Sequence, residues 1–196
     1  MKKILLGLLA LSTTLMAQSL ENTGDTGKAS IQIDTKATVI NSGLIITGQE
    51  NGTGAISQLD LDHGVILATA EATSTVNKDV FVKRANEGTF PEGTVLEVKL
   101  NAAAGNNLKN GDNAIAHTLT AAVDSNSTTG GSIALTGATT TATNEFAVLE
   151  NKNNVKINLE SKIAAGALAG ALDQELVDGD YTNVSTLTVK ISKIQL

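Results

Sequence analysis

The chain has 196 residues, a formal net charge of −6, one proline, no cysteine and no tryptophan. An acidic surface without a basic run gives no electrostatic footprint for nucleic acid or anionic lipid, and the lack of thiols excludes disulfides, thiol catalysis and thiolate metal sites. Phe81, Phe90, Phe146 and Tyr181 are the only aromatic residues, so the core is aliphatic, stacking faces for a sugar are scarce, and numerous, periodic apolar residues exclude a disordered chain.

Residues 1–17 read as a secretory signal. Lys2 and Lys3 supply the positive start, Ile4 to Leu11 the apolar run, and Leu15-Met16-Ala17 ends on a small residue. The run is shorter than the ~20 residues of a helical membrane span, and the expected mature chain starts at Gln18. Residues 18–35 then form an N-terminal extension. Across residues 28–40, Ala29, Ile31, Ile33, Ala37 and Val39 alternate with Ser30, Gln32, Asp34, Lys36 and Thr38, the two-residue period of a strand with one apolar side. Such a strand either pairs within its own domain or leaves it to complete a neighbour's sheet; alternation alone leaves both open.

Residues 36–196 read as a single domain without internal repeats. Strand-like segments follow one another between Gly, Asn and Asp punctuation. They are Leu44-Ile45-Ile46, residues 56–61 and 65–69 on either side of Asp62-His63-Gly64, residues 76–84 and residues 94–100. After these come 115–123 as one alternating strand, Ile133 with Leu135, Phe146 with Val148, the run Val155, Ile157, Leu159, and a closing strand over 184–191. This pattern predicts an all-β fold, an immunoglobulin-like β-sandwich. Residues 161–172 carry two glycines, each worth roughly 1 kcal/mol against a helix, and read as a loop with a helical turn at most. Residues 124–144 are mostly Ser, Thr and Gly and read as a surface excursion with one short strand.

No motif builds an active site. Asp60-Leu61-Asp62-His63-Gly64 lacks the third acidic ligand and closing glutamate of a calcium loop, and reads as a strand end with outward acids. His63 and His117 are the only histidines; His117 falls on the apolar side of its strand, as a core histidine does. There is no nucleophile elbow, Ser-x-x-Lys pair or phosphate-cradling loop. We therefore expect no catalytic residue, no metal site, no cofactor and no enzymatic activity. The Asn-x-Ser/Thr matches at Asn51, Asn126 and Asn183 are given no role in a chain so rich in these residues.

The chain ends carry the functional signal. Asp178-Gly179-Asp180 supplies a turn, Tyr181 follows, and Leu187, Val189 and Ile191 line one side of the closing strand. The Gly179-x-Tyr181 turn before a final strand resembles the C-terminal signature of chaperone–usher pilins. The layout is similar to the cysteine-free alpha class of fimbrial shaft subunits, of colonisation-factor and common-pilus type. The resemblance implies a sandwich that lacks one strand, filled first by a periplasmic chaperone and then, at an outer-membrane usher, by the N-terminal strand of the next identical subunit. The donor residues would be Ala29, Ile31, Ile33 and Thr35, with Ala37 and Val39 starting the subunit's own first strand. It implies a structural subunit of a bacterial surface fimbria, exported through the periplasm and supporting adhesion or biofilm formation, with a tip adhesin as a further partner. The alternatives are a stand-alone secreted β-sandwich binding protein and another kind of biofilm or matrix filament subunit.

Overall fold

A computed structural model describes residues 43–67, 69, 71–168 and 179–194. The expected signal segment, the extension 18–35 with Ala29, Ile31, Ile33 and Thr35, and the expected first-strand residues Ala37 and Val39 lie outside the described residues.

The described residues form ten strands and no helix. They are β1 (Leu44–Thr47), β2 (Ser74–Arg84), β3 (Thr94–Asn101), β4 (Asn107–Asn110), β5 (Asn113–Ala116), β6 (Thr118–Val123), β7 (Gly131–Thr136), β8 (Thr141–Ala147), β9 (Asn154–Ile163) and β10 (Thr186–Ile194). All pairings are antiparallel. One sheet has the order β1-β2-β9-β6-β7, the second β10-β3-β8, and β4-β5 stands as a separate hairpin.

The inward sides follow the sequence period. In β9, Val155, Ile157, Leu159 and Ile163 are buried, while Lys156, Asn158, Glu160 and Lys162 alternate with them at higher exposure. In β3, Leu96, Val98 and Leu100 do the same. Val155, Ile157 and Leu159 of β9 and these β3 residues meet Val80, Val82, Leu135 and Phe146 in one core between the two sheets, making the molecule a β-sandwich, while Ile163 belongs to a second, smaller core. Each fully buried aliphatic side chain of this kind contributes about 1.5–3 kcal/mol. At one side the sandwich is closed: β7 lies against β8 and β3, and Thr129 N donates to Ala147 O at 2.9 Å. At the other side stand the edges β1 and β10.

Several sequence expectations are corrected. Residues 56–61 form no strand, and neither do the described residues 65–67 and 69. Ile56, Leu59 and Leu61 instead pack irregularly on the core, whereas Val65 and Leu67 are exposed. Asp62 is not at a strand end; its Oδ1 accepts the Gly64 N–H at 2.8 Å, an Asx turn that Gly64 completes at φ +63. Residues 115–123 are not one strand but β5 and β6, interrupted at His117. The preceding β4, Asn-Leu-Lys-Asn, is too polar to show an alternating pattern. It pairs with β5 through a two-residue loop in which Gly111 takes φ +58, as a type II′ hairpin requires at its first position. Residues 124–144 hold all of β7 and the start of β8 rather than one short strand. In the 161–172 segment, β9 continues to Ile163 before a turn in which Ala167 N donates to Ala164 O. The closing strand starts at Thr186 rather than Val184, which is exposed.

Candidate functional site

Among the described residues β10 is held on one side only. Leu187, Val189 and Ile191 stand opposite Leu100, Val98 and Leu96 of β3. Among the described residues no strand pairs with the other edge of β10. An edge of this kind presents main-chain N–H and C=O groups as a template for a further strand. Val189 is buried, while Leu187 and Ile191 are half-buried and pack against the main core. The register shifts between Ile191 and Lys193. On the outer side, Lys190 pairs with Glu97 at 3.0 Å and Lys193 with Glu145 at 3.5 Å. Exposed pairs like these contribute at most about 1 kcal/mol each.

The facing edge is short. β1 has four residues, and after it the chain turns, with Thr47 Oγ1 donating to Gln49 O at 2.7 Å and Gly52 N to Gln49 O at 3.0 Å. The chain then passes the edge of β1, where Ile56 N donates to Ile46 O at 2.9 Å. It runs on through Leu59 and Leu61 to His63. The His63 ring bonds Ser74 Oγ through Nδ1 and Ser161 Oγ through Nε2, both at 2.8 Å. Ser161 lies on the inward side of β9 with Leu159 and Ile163 either side. The segment therefore crosses from the edge of β1 to the inner face of the five-stranded sheet. Ile46 of β1, Leu187 and Ile191 of β10, and Ile56, Leu59 and Leu61 of the crossing segment are all half-buried against the same core.

The turn before β10 is anchored independently. Tyr181 packs on a second, smaller core of Ile115, Ile163 and Leu168, with Leu108 and Ile66. Thr182 and Lys109 of β4 exchange two main-chain bonds, at 2.8 and 3.0 Å. Asn183 Nδ2 donates to Gly105 O and Asn107 O at 2.9 and 3.1 Å. Gly179 has φ +152, and a Cβ there would lie 2.6 Å from Asn110 Nδ2. Gly179→Ala is accordingly expected to lower stability by about 1–3 kcal/mol through backbone strain and displacement of Asn110, read as a lower urea midpoint. An unchanged midpoint would show that the turn is not fixed against β4.

The two histidines lie at this end of the sandwich. Burial pushes the His117 imidazole down to about 4, with the nearby His63 acting in the same direction and a bond to the Asn106 main chain opposing them. Burial also lowers His63, against the attraction of Asp62. Both rings are neutral at pH 7. With a hydroxyl on each ring nitrogen, His63 joins Ser74 of β2 to Ser161 of β9. On the outer face, the Asn158 amide and then Lys156 hold the Asp79 carboxyl below the usual range. Among the described residues no three His, Asp or Glu side chains are grouped to hold a metal ion.

Of the residues singled out from sequence, Gly179, Tyr181, Leu187, Val189 and Ile191 come together as one anchored turn and one free-edged strand. The expected donor residues lie outside the described residues. Sequence reasoning missed the segment 53–63 as a crossing segment packed on the main core; the uneven spacing of Ile56, Leu59 and Leu61 was its only signal. No helix among the described residues is long and apolar enough to cross a membrane. Comparison of the chain with protein-family models, curated proteins and solved structures finds no match.

Proposed function

We propose that this chain is a structural subunit of a bacterial surface fibre, assembled by donation of residues 29–35 of one copy to the free edge of β10 in the next. The observation that carries this reading is that, among the described residues, no strand pairs with the second edge of β10, beside half-buried Leu187 and Ile191. Ala29, Ile31 and Ile33 recur every second residue, the period needed to place three side chains along one side of a seam. Each isoleucine so buried would add about 1.5–3 kcal/mol, and the new strand would satisfy the open main-chain groups of β10. The donated surface and the accepting seam are different, so the contact is heterologous and propagates as a fibre instead of closing into a dimer. The immunoglobulin-like character of the fold, the export route, the chaperone and usher partners, the tip adhesin and the role in adhesion or biofilm formation belong to the same reading.

The experiment is the double substitution Ile31→Asp with Ile33→Asp. Electron microscopy of surface material is expected to show fibres for the unaltered chain and none for the variant. The purified variant should keep the circular dichroism and urea midpoint of the unaltered subunit. Fibres of normal length and number from the variant would overturn the proposal.

A further inference from the structure

The edge of β1, which stands at the same side of the sandwich as β10, is already partly covered by the chain itself. Between Ile56 and His63 the backbone runs beside the edge of β1 and over the inner face at β2 and β9. Its only main-chain bond to a strand, among the described residues, is Ile56 N to Ile46 O. Ile56, Leu59 and Leu61 are half-buried on the same core that Leu187 and Ile191 line, while strand residues such as Val98 and Leu100 are almost wholly buried. At its far end the segment is pinned by the two hydroxyls on His63, contributed by β2 and β9.

We infer that residues 53–63 are a removable strap, latched by His63, that covers the acceptor seam of the free subunit and is displaced when a strand from a second copy pairs with β10. This rests on the strand-exchange reading above and adds a step to it. The direction of exchange follows from the contacts. A few hydrogen bonds and three half-buried side chains give way to a full main-chain ladder and fully buried isoleucines. The strap has turning points on both sides: the Gln49–Gly52 turn before it, where Gly52 N donates to Gln49 O, and Gly64 at φ +63 just after it. Because the strap must leave first, uptake of the donor strand is slower than the bare seam would allow.

The chain has no cysteine, so an engineered disulfide can lock the strap without competition. A Cβ at Gly48 would lie 3.8 Å from Ile56 Cγ2 and 4.0 Å from its Cδ1, so a cysteine pair at these neighbouring positions is the lock to build. The test uses the full mature chain carrying Gly48→Cys with Ile56→Cys, and a fluorescent peptide of residues 28–36 whose uptake is followed by anisotropy. The oxidised form is expected to take up the peptide at least tenfold more slowly than the same protein reduced. Equal rates in the two forms would overturn displacement. The latch is read separately: His63→Ala is expected to raise chymotryptic cleavage after Leu59 and Leu61 at least tenfold, with β2 and β9 still intact. Unchanged cleavage would overturn the latch. Uptake by neither redox form would bring down the strand-exchange reading and displacement with it, whereas the cleavage rates would still decide whether His63 holds the segment.

Discussion

Replacing Asn106 by alanine is expected to lower the stability of the subunit by about 2–4 kcal/mol. Asn106 is fully buried at the start of the β4-β5 hairpin. Its Nδ2 donates to His117 O at 3.1 Å and to Leu135 O at 2.9 Å, and its main-chain N–H to Gly137 O at 2.7 Å. One side chain thus ties the break between β5 and β6 to the end of β7. Alanine removes the shared donor from two buried carbonyls, each worth about 1–3 kcal/mol when left unsatisfied. Asn106→Asp should be worse than alanine, because it turns a buried negative charge toward two carbonyl oxygens. Urea denaturation with an unchanged slope measures both. A loss below about 1 kcal/mol for alanine, or aspartate milder than alanine, would show that these carbonyls find other donors.

Acid is expected to loosen the same end of the molecule. His117 titrates at about 4 in the folded chain, against ~6.5 in an unfolded one. The unfolded chain therefore binds more protons between these values. Stability is complete above about pH 6.5, falls as the pH drops through that window, and has lost the whole contribution below about pH 4. The shift corresponds to about 2–3 kcal/mol, the lower figure allowing for solvent screening. His63 acts in the same direction, its folded value also being lowered. The urea midpoint should fall steadily from pH 7 to pH 4, and His117→Gln should flatten the curve. A midpoint in the unaltered protein that is constant over this range would rule out a buried neutral His117.

The parts of the fold legible in the sequence were those where one side of a strand is uniformly apolar. Val155, Ile157 and Leu159 announced β9, and Leu187, Val189 and Ile191 announced β10. The end of β9 was hidden because Ser161 continues its inward side with a polar residue, and β4 because nearly all its residues are polar. Residues 56–61 misled for the opposite reason. Their apolar content suits a strand, but Ile56, Leu59 and Leu61 do not alternate, and their packing is decided by the surrounding core rather than by a ladder. Of the candidate site, the turn at Gly179 and Tyr181 and the strand after it were readable because they are contiguous. The His63 latch was not, since Ser74 and Ser161 stand 11 and 98 positions away and nothing local signals that they will meet.

The strand order also sets the timetable of folding. β2 pairs with β9 and β3 with β10, so the registers Val80↔Ile157 and Val98↔Val189 join residues far apart in the chain. Neither sheet can be completed until β9 and β10 are available. Closing such long loops before any contact rewards them makes folding slow, on the order of milliseconds to seconds. During that interval β2 and β3 present aliphatic edges without partners, the condition under which chains stick to one another. The chain thus spends its most aggregation-prone period before β9 and β10 have docked.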